Sequence, residues 1–252
     1  MSTRRTPFIP GEYYHLSNCG NSKQVIFRDK LDYCQFIKLL YIANTNKNII
    51  TRDLTNEFNI TRLGRKIIYI GAYSLTPNQF HLIVSLPKNG NISKFMQKLQ
   101  TAYSMYFNVR YSHTGSLFEG KFKSKYIYNN RYLRYLFSYV LLKPIRLIKP
   151  DWHKNGIEDK EEAISFLSKY EYSCLTDFIG PQRVESKIID RGRFPGYFYN
   201  PKTIKNDIFE WINNDGNIEN SPNKKVVKTT IIKKKTKKPK IKYQTIRQLS
   251  TI

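Results

Sequence analysis

The triplet Gln79-Phe80-His81 enters an otherwise apolar run that ends at Leu86. In extended backbone, residues two apart share a face, so Gln79 and His81 project together while Phe80 and Leu82 point the other way. Two ligand-type side chains placed so suit a divalent cation or a phosphate. The alternative is a structural histidine bonded to a neighbour. Tyr139 is a second candidate. Between Arg131 and Leu142, residues Leu133, Leu136, Phe137, Val140 and Leu141 form an apolar stripe. At about 100° per residue, Tyr132, Tyr139 and Lys143 fall along one flank of it. Tyr139 and Lys143 are four apart, hence neighbours. A cation beside a phenol favours the phenolate that a tyrosine nucleophile needs. The alternative is a boundary tyrosine with its ring in the core and its hydroxyl in water. The third candidate is a loop expected over Ser112 to Lys125, in which Phe118 and Phe122 interleave with Lys121, Lys123 and Lys125. Gly115 and Gly120 let backbone approach a ligand closely. Aromatic faces beside cations suit single-stranded nucleic acid with stacked bases. A solvated basic loop is the alternative.

The patterns around these residues predict the elements that position them. Gly11 to Gly20 (GEYYHLSNCG) reads as a strand entering a turn. Leu31, Cys34, Ile37, Leu40 and Tyr41 predict an amphipathic helix over Asp29 to Ala43. Residues 44–66 read as loop. Ile67 to Tyr73 and Phe80 to Leu86 read as strands paired through the turn Thr76-Pro77-Asn78. Ile92 to Tyr111 reads as a helix buried through Phe95, Leu99, Tyr103, Tyr106 and Phe107. Arg131 to Leu142 is a helix stopped by Pro144. Asp159 to Tyr170 and Thr203 to Asn214 read as further helices. A tight turn between the two strands favours antiparallel α+β over a doubly wound sheet. Three regions are expected: 1–150 with the candidate site, 151–214 as a helical extension, and 215–252 as a lysine-rich disordered tail.

Composition narrows the partners. The 252 residues carry 43 Lys and Arg against 19 Asp and Glu, a net charge of +24. From Ser221 onward ten Lys and one Arg meet no acid, which leaves +13 on the body. A basic, tyrosine-rich body as well as a basic tail points to a polyanion, nucleic acid first. With 40% hydrophobic and 14% aromatic residues, wholesale disorder is excluded. No apolar run reaches the roughly 20 residues of a membrane span, so no membrane partner is expected. No apolar stretch follows Arg4 and Arg5, which predicts no signal peptide. Cys19, Cys34 and Cys174 are odd in number and far apart, which argues against a disulfide framework or a CxxC-type zinc site. A reducing, cytoplasmic setting is expected.

In order and spacing, these segments resemble the HUH single-tyrosine transposases with an IS200-like transposase domain, most closely the REP-associated tyrosine transposases. The resemblance runs from Gly11 to about Phe198. AYSLTPNQFHLIVS is similar to the family's MPNHFHLLV segment, and GSLFEGKFKS to its GxLFQGRFKS loop. YVLLKPIR, Tyr139 to Arg146, is similar to YIxxNPVR, and YEYSCLTDFIG to YxxSSYxDYLG. GEYYHLSNCGNSKQVIF resembles the opening strand and turn, with Cys19 where Arg is usual.

The resemblance implies a ferredoxin-like α+β domain whose central antiparallel sheet is flanked by helices. It also implies magnesium or manganese at the two histidines and at a polar residue four after the tyrosine. The implied partner is single-stranded or hairpin DNA, and the protein would associate with the nucleoid through it. The implied chemistry is attack by the tyrosine, leaving a 5′-phosphotyrosine link. Tyr139 matches the nucleophile and His81 the second histidine. Lys121, Phe122, Lys123, Lys125 and Arg146 are the expected DNA contacts. Two positions depart: Gln79 replaces the first histidine, and Lys143 replaces Asn or Gln. Gln can offer a carbonyl oxygen to magnesium, whereas a protonated lysine repels a cation. Three outcomes follow. A metal binds weakly through Gln79, His81 and water; Lys143 supplies the positive charge itself; or the protein binds hairpins without cutting. RNA binding is a further reading, since basic aromatic surfaces also grip RNA loops. The lysine tail is expected to add sequence-independent affinity. Deleting residues 223–252 then flattens the salt dependence of binding and leaves hairpin preference intact. Lost preference with an unchanged salt slope would contradict this.

Overall fold

A computed structural model describes residues 7–46, 64–152 and 156–213. The expected tail, 215–252, and most of the expected loop at 44–66 lie outside the described residues. The chain runs through β1 (Tyr13–Cys19), α1 (Lys30–Ile42), β2 (Tyr69–Thr76), β3 (Gln79–Ser85), α2 (Ile92–Tyr111), β4 (Lys123–Ile127) and α3 (Asn130–Leu142). The sheet order is β2-β3-β1-β4, and each neighbouring pair is antiparallel. β3 therefore lies between β1 and β2, and β1 lies between β3 and β4. This is the split β-α-β unit used twice, the ferredoxin-like α+β fold that the sequence predicts.

Local chemistry sets the helix starts. Asp29, Asn91 and Asn129 each accept a backbone N–H from three residues on, at the N-termini of α1, α2 and α3. α1 and α2 pack on the sheet face that carries Phe80. Phe36 meets Phe80 and Tyr103 with ring centroids 4.9 and 5.0 Å apart. α2 keeps its predicted bounds and buries Phe95, Leu99, Tyr103 and Phe107, while Tyr106 is only partly covered.

Three expectations are corrected. The buried face of α1 is rotated: Leu31 and Cys34 are exposed, while Asp32, Tyr33, Phe36, Leu39 and Leu40 are buried. Asp32 goes inside because Tyr106, Tyr111, Arg110 and the Arg28 amide all donate to its carboxylate. A carboxylate so satisfied loses little by burial. The loop expected to run to Lys125 ends sooner, since Lys123 and Lys125 belong to β4, which pairs with β1. Phe118 is buried rather than presented to solvent.

α3 ends at Leu142, just before Pro144, and tightens into a 3₁₀ turn over Lys143–Leu147. Beyond it come α4 (Lys160–Lys169), α5 (Leu175–Ile179) and α6 (Pro201–Asn213). α4 and α6 were expected; α5 is too short to show helical periodicity. Residues 172–174 lie along the outer edge of β2, with Leu75 N–H donating to Tyr172 O (3.0 Å) and Cys174 N–H to Tyr73 O (3.1 Å). That covers an edge that would otherwise present unpaired backbone. Arg183 secures the strap through Asp177, the Tyr73 hydroxyl and the carbonyls of Glu171 and Ser173. α6 is tied to α3 by a paired Arg134–Asp207 contact and by Trp211 against Tyr135. Among the described residues no helix is long and apolar enough to cross a membrane.

Candidate active site

The strand register builds the site. On β3, His81 stands opposite Ser17 of β1 and Ser74 of β2, and Gln79 stands opposite Cys19 and Thr76. His15 stands opposite Ile83 on β3 and Lys125 on β4. Since faces alternate, Gln79, His81, His15, Lys123 and Lys125 share one face. α3 packs on that face.

His15 was not among the candidates from sequence. It is the diagonal neighbour of His81 across the β1–β3 pair. The signal was a second histidine on a strand bound for the same sheet, which one strand's spacing cannot reveal. His15 Nε2 and His81 Nδ1 are 3.0 Å apart, and His81 Nε2 and Gln79 Oε1 are 3.2 Å apart. The two rings lie within 9° of parallel with centroids 5.1 Å apart. That fits a bond in the ring plane rather than face-to-face stacking. With Gln79 Oε1 as acceptor, the tautomers follow. His81 Nε2–H donates to Gln79, and His15 Nε2–H donates to His81 Nδ1. The only lone pair on the His81 ring is then occupied.

Tyr139 comes from α3 and presents a ring nearly perpendicular to both imidazoles, with centroids 6.4 Å from His15 and 6.3 Å from His81. Lys143 Nζ lies 4.6 Å from the centroid of the Tyr139 ring, a cation–π contact one turn along. Lys143 is only 5% exposed. Its stem is carried inward by the 3₁₀ turn, which also buries Pro144 and Ile145. Arg146, in the same turn, is exposed.

The electrostatics are those of a buried cation. Burial, then Arg146, pulls the Lys143 ammonium down to about 8. Burial first, then Lys143 and Lys125, lowers His15 to about 4. Burial first, then Lys143, His15 and Arg146, drives His81 well below the ordinary imidazole value. Both imidazoles are therefore neutral near pH 7. The expectation that Lys143 eases ionisation of Tyr139 is not met. Burial raises that phenol, Arg146 is the cation that opposes the rise, and Tyr132 adds to it.

The other expected contacts divide. Lys125 reaches the site face with its ammonium 5.1 Å from the Tyr132 ring centroid. Lys123 is exposed on the same strand and sits 3.7 Å from Glu119. Lys121 is exposed in the preceding turn, and Phe122 is half-buried against the core rather than free to stack on bases.

A divalent cation does not fit this donor set. His81 has its lone pair engaged and Gln79 accepts from His81; that leaves one imidazole lone pair, on His15 Nδ1, with the positive charge of Lys143 acting on both rings. Among the described residues, no group of three or more His, Cys, Asp or Glu side chains converges. A larger cleft of about 970 Å³, lined in part by Lys30, Lys169, Glu171, Arg183 and Glu185, holds none of these residues. Two of its cations are paired with acids that also line it, Lys30 with Glu171 and Arg183 with Glu185.

Comparison with known proteins places the central part of the chain. Residues 37–141 match the family described as "Transposase IS200 like", as the resemblance in the sequence implies. A search of curated proteins finds no match. Among solved structures, the chain is similar to a REP-associated tyrosine transposase bound to a REP hairpin. The identity is 14%, with 77% of this chain and 89% of that one covered and a TM-score of 0.47. It is also similar to a candidate transposase from Deinococcus radiodurans, at 15% identity, 56% and 95% coverage and a TM-score of 0.33.

The buried ammonium has a cost that can be measured. Unfolded chain holds the Lys143 proton up to about 10.5, and folded chain only up to about 8. Stability from this residue therefore rises with pH across that window. The difference amounts to at most about 3 kcal/mol at pH 7. Lys143→Met is expected to unfold at higher denaturant than the parent at pH 7, with the gap closing as pH rises from 8 toward 10.5. A variant less stable than the parent at pH 7 would contradict the burial of a charged amine.

Proposed function

We propose that this chain, which carries an IS200-like transposase domain over residues 37–141, cleaves single-stranded DNA beside a hairpin with Tyr139 as nucleophile. The observation that supports this most is the convergence of Tyr139, the His15–His81–Gln79 chain, Lys143 and Arg146 at one end of the sheet. The phenol oxygen attacks phosphorus, the bond to the leaving 3′ oxygen breaks, and the phenol proton ends on that oxygen. A 5′-phosphotyrosine link and a free 3′-hydroxyl result, and the reverse step rejoins strands. Negative charge grows on the non-bridging oxygens in the transition state. Lys143 and Arg146 are the cations placed to balance it, and fixed charge in a water-poor site is worth more there than in bulk water. The imidazole chain holds the floor of the site rigid and uncharged, so it does not compete for the phosphate. The DNA strand is held by Lys123, Lys125 and Arg146, with Lys121 further along the surface. The tail at 215–252 adds sequence-independent attraction. The region at 151–214 braces β2 and α3.

A second reading draws on the same self-satisfied imidazole chain: a protein that binds hairpin DNA without cutting it. One experiment separates the two. End-labelled hairpin DNA with single-stranded flanks is incubated with the protein in chelator, then run on a denaturing gel. The proposal predicts a covalent protein–DNA band that Tyr139→Phe abolishes. In Lys143→Asn the band falls by about 10²–10³-fold in chelator, the scale of losing one charge-stabilising group, and recovers with manganese. Tight binding to a validated cognate hairpin with no band in any condition would establish the silent binder instead.

A further inference from the structure

A second cavity is bordered by Gln79. It has a volume of about 300 Å³, and its lining includes Lys23, Val25, Asn78, Gln79, Arg146 and Leu147, with no acidic residue. Its walls are fixed by backbone. The turn between β2 and β3 has both carbonyls engaged: Asn78 O accepts from Gly20 N–H at 2.9 Å, and Pro77 O accepts from Ile26 and Phe27 N–H at 2.8 and 2.9 Å. The segment bearing Lys23 is pinned by the Gln24 side chain, which donates to Leu117 O at 3.0 Å. Ser22 and Lys23 hold positive φ (50° and 61°), a conformation L residues keep only where surroundings impose it.

What remains unengaged is informative. The side-chain amide of Asn78 makes no hydrogen bond to another described residue, and neither Lys23 nor Arg146 meets a carboxylate there within ion-pair distance. Val25 and Leu147 are 45% and 41% exposed, two large aliphatic surfaces left open to water beside two cations. An apolar ring with a hydrogen-bonding edge and a flanking anion answers all of these groups. An unstacked nucleotide is such a ligand, since single strands are read by splaying bases out and bonding their edges. Side-chain amides suit this, because they donate and accept together.

We propose that this cavity holds the base of a nucleotide flanking the phosphodiester that Tyr139 attacks, with Asn78 reading its edge. Val25 and Leu147 cover the base, and Lys23 and Arg146 meet the adjoining phosphates. Through Gln79, which is both cavity wall and acceptor for His81, an occupied cavity adjoins the reacting centre. Base identity at one flanking position thereby selects the cleavage site. This rests on the proposed cleavage of single-stranded DNA by Tyr139.

The test uses full-length protein and a hairpin oligonucleotide selected from a pool with randomised single-stranded flanks. An abasic residue replaces each flank position in turn, and binding to the Tyr139→Phe protein is read by fluorescence anisotropy. One position is expected to weaken binding by about tenfold when its base is removed, the scale of one good base contact. In Asn78→Ala, at a half-buried turn position whose side chain bonds to no described residue, and in Val25→Asp, at an exposed position, that penalty shrinks to near nothing while other positions are unchanged. A flat scan, or a penalty undiminished in both variants, overturns the proposal. The same oligonucleotides are also given to protein with Tyr139 intact. A covalent band alongside a flat scan leaves Tyr139 cleavage standing and removes only the base pocket. Neither band nor binding removes both.

Discussion

A buried ammonium next to two neutral imidazoles is the interaction on which the site depends. Lys143 is nearly inaccessible and lies over the Tyr139 ring. A charge in that position is costly unless something nearby gains from it. Burial first, and then its field, lowers both His15 and His81, and an uncharged imidazole pair can share one hydrogen in the ring plane. His15 and Gln79 then engage both ring nitrogens of His81. A centre arranged in this way has less use for an added cation than one in which two lone pairs and a carbonyl face a common point. Under the proposed cleavage, the positive charge that phosphoryl chemistry requires is already in the chain.

The fold makes this arrangement hard to avoid. β1 and β3 are the two central strands, so His15 and His81 meet as diagonal neighbours wherever the β1–β3 register holds. A one-residue slip of β1 against β3 would turn His15 to the α1–α2 face and part it from His81. α3 brings Tyr139 down onto the pair, and Pro144 ends its regular hydrogen bonding where Lys143 must turn inward. Described residues between 172 and 211 brace this framework from two sides. Residues 172–174 cover the β2 edge, and the Arg134–Asp207 and Tyr135–Trp211 contacts hold α3 against α6.

Much of this was legible in the sequence, and the exceptions have physical causes. The β-branched and aromatic run of 67–73 and the tight turn after it showed the hairpin, and the apolar stripe of 92–111 showed α2 with its bounds. The face shared by Gln79 and His81, and the proximity of Tyr139 and Lys143, followed from strand and helix periods alone. β4 was missed because KSKYI is mostly lysine and serine. Those residues suit an outermost strand and hide its pattern. The rotation of α1 was missed because Asp32 counts as polar in any periodicity, and its four donors come from elsewhere in the fold. His15 needed the pairing of two strands more than sixty residues apart. The burial of Lys143 ran against the rule that lysines stay in water, and the raised Tyr139 phenol ran against the rule that a neighbouring cation favours the phenolate. Desolvation outweighs a nearby charge once both groups leave solvent.

The central claim is that the built-in ammonium and the closed imidazole chain take the place of a divalent ion. Manganese binding measured by the loss of the free-ion paramagnetic resonance signal tests this directly, without reference to catalysis. The parent is expected to leave stoichiometric manganese free, and a Gln79→His, Lys143→Asn double variant to sequester it. Stoichiometric binding by the parent that disappears in His81→Ala would contradict the account.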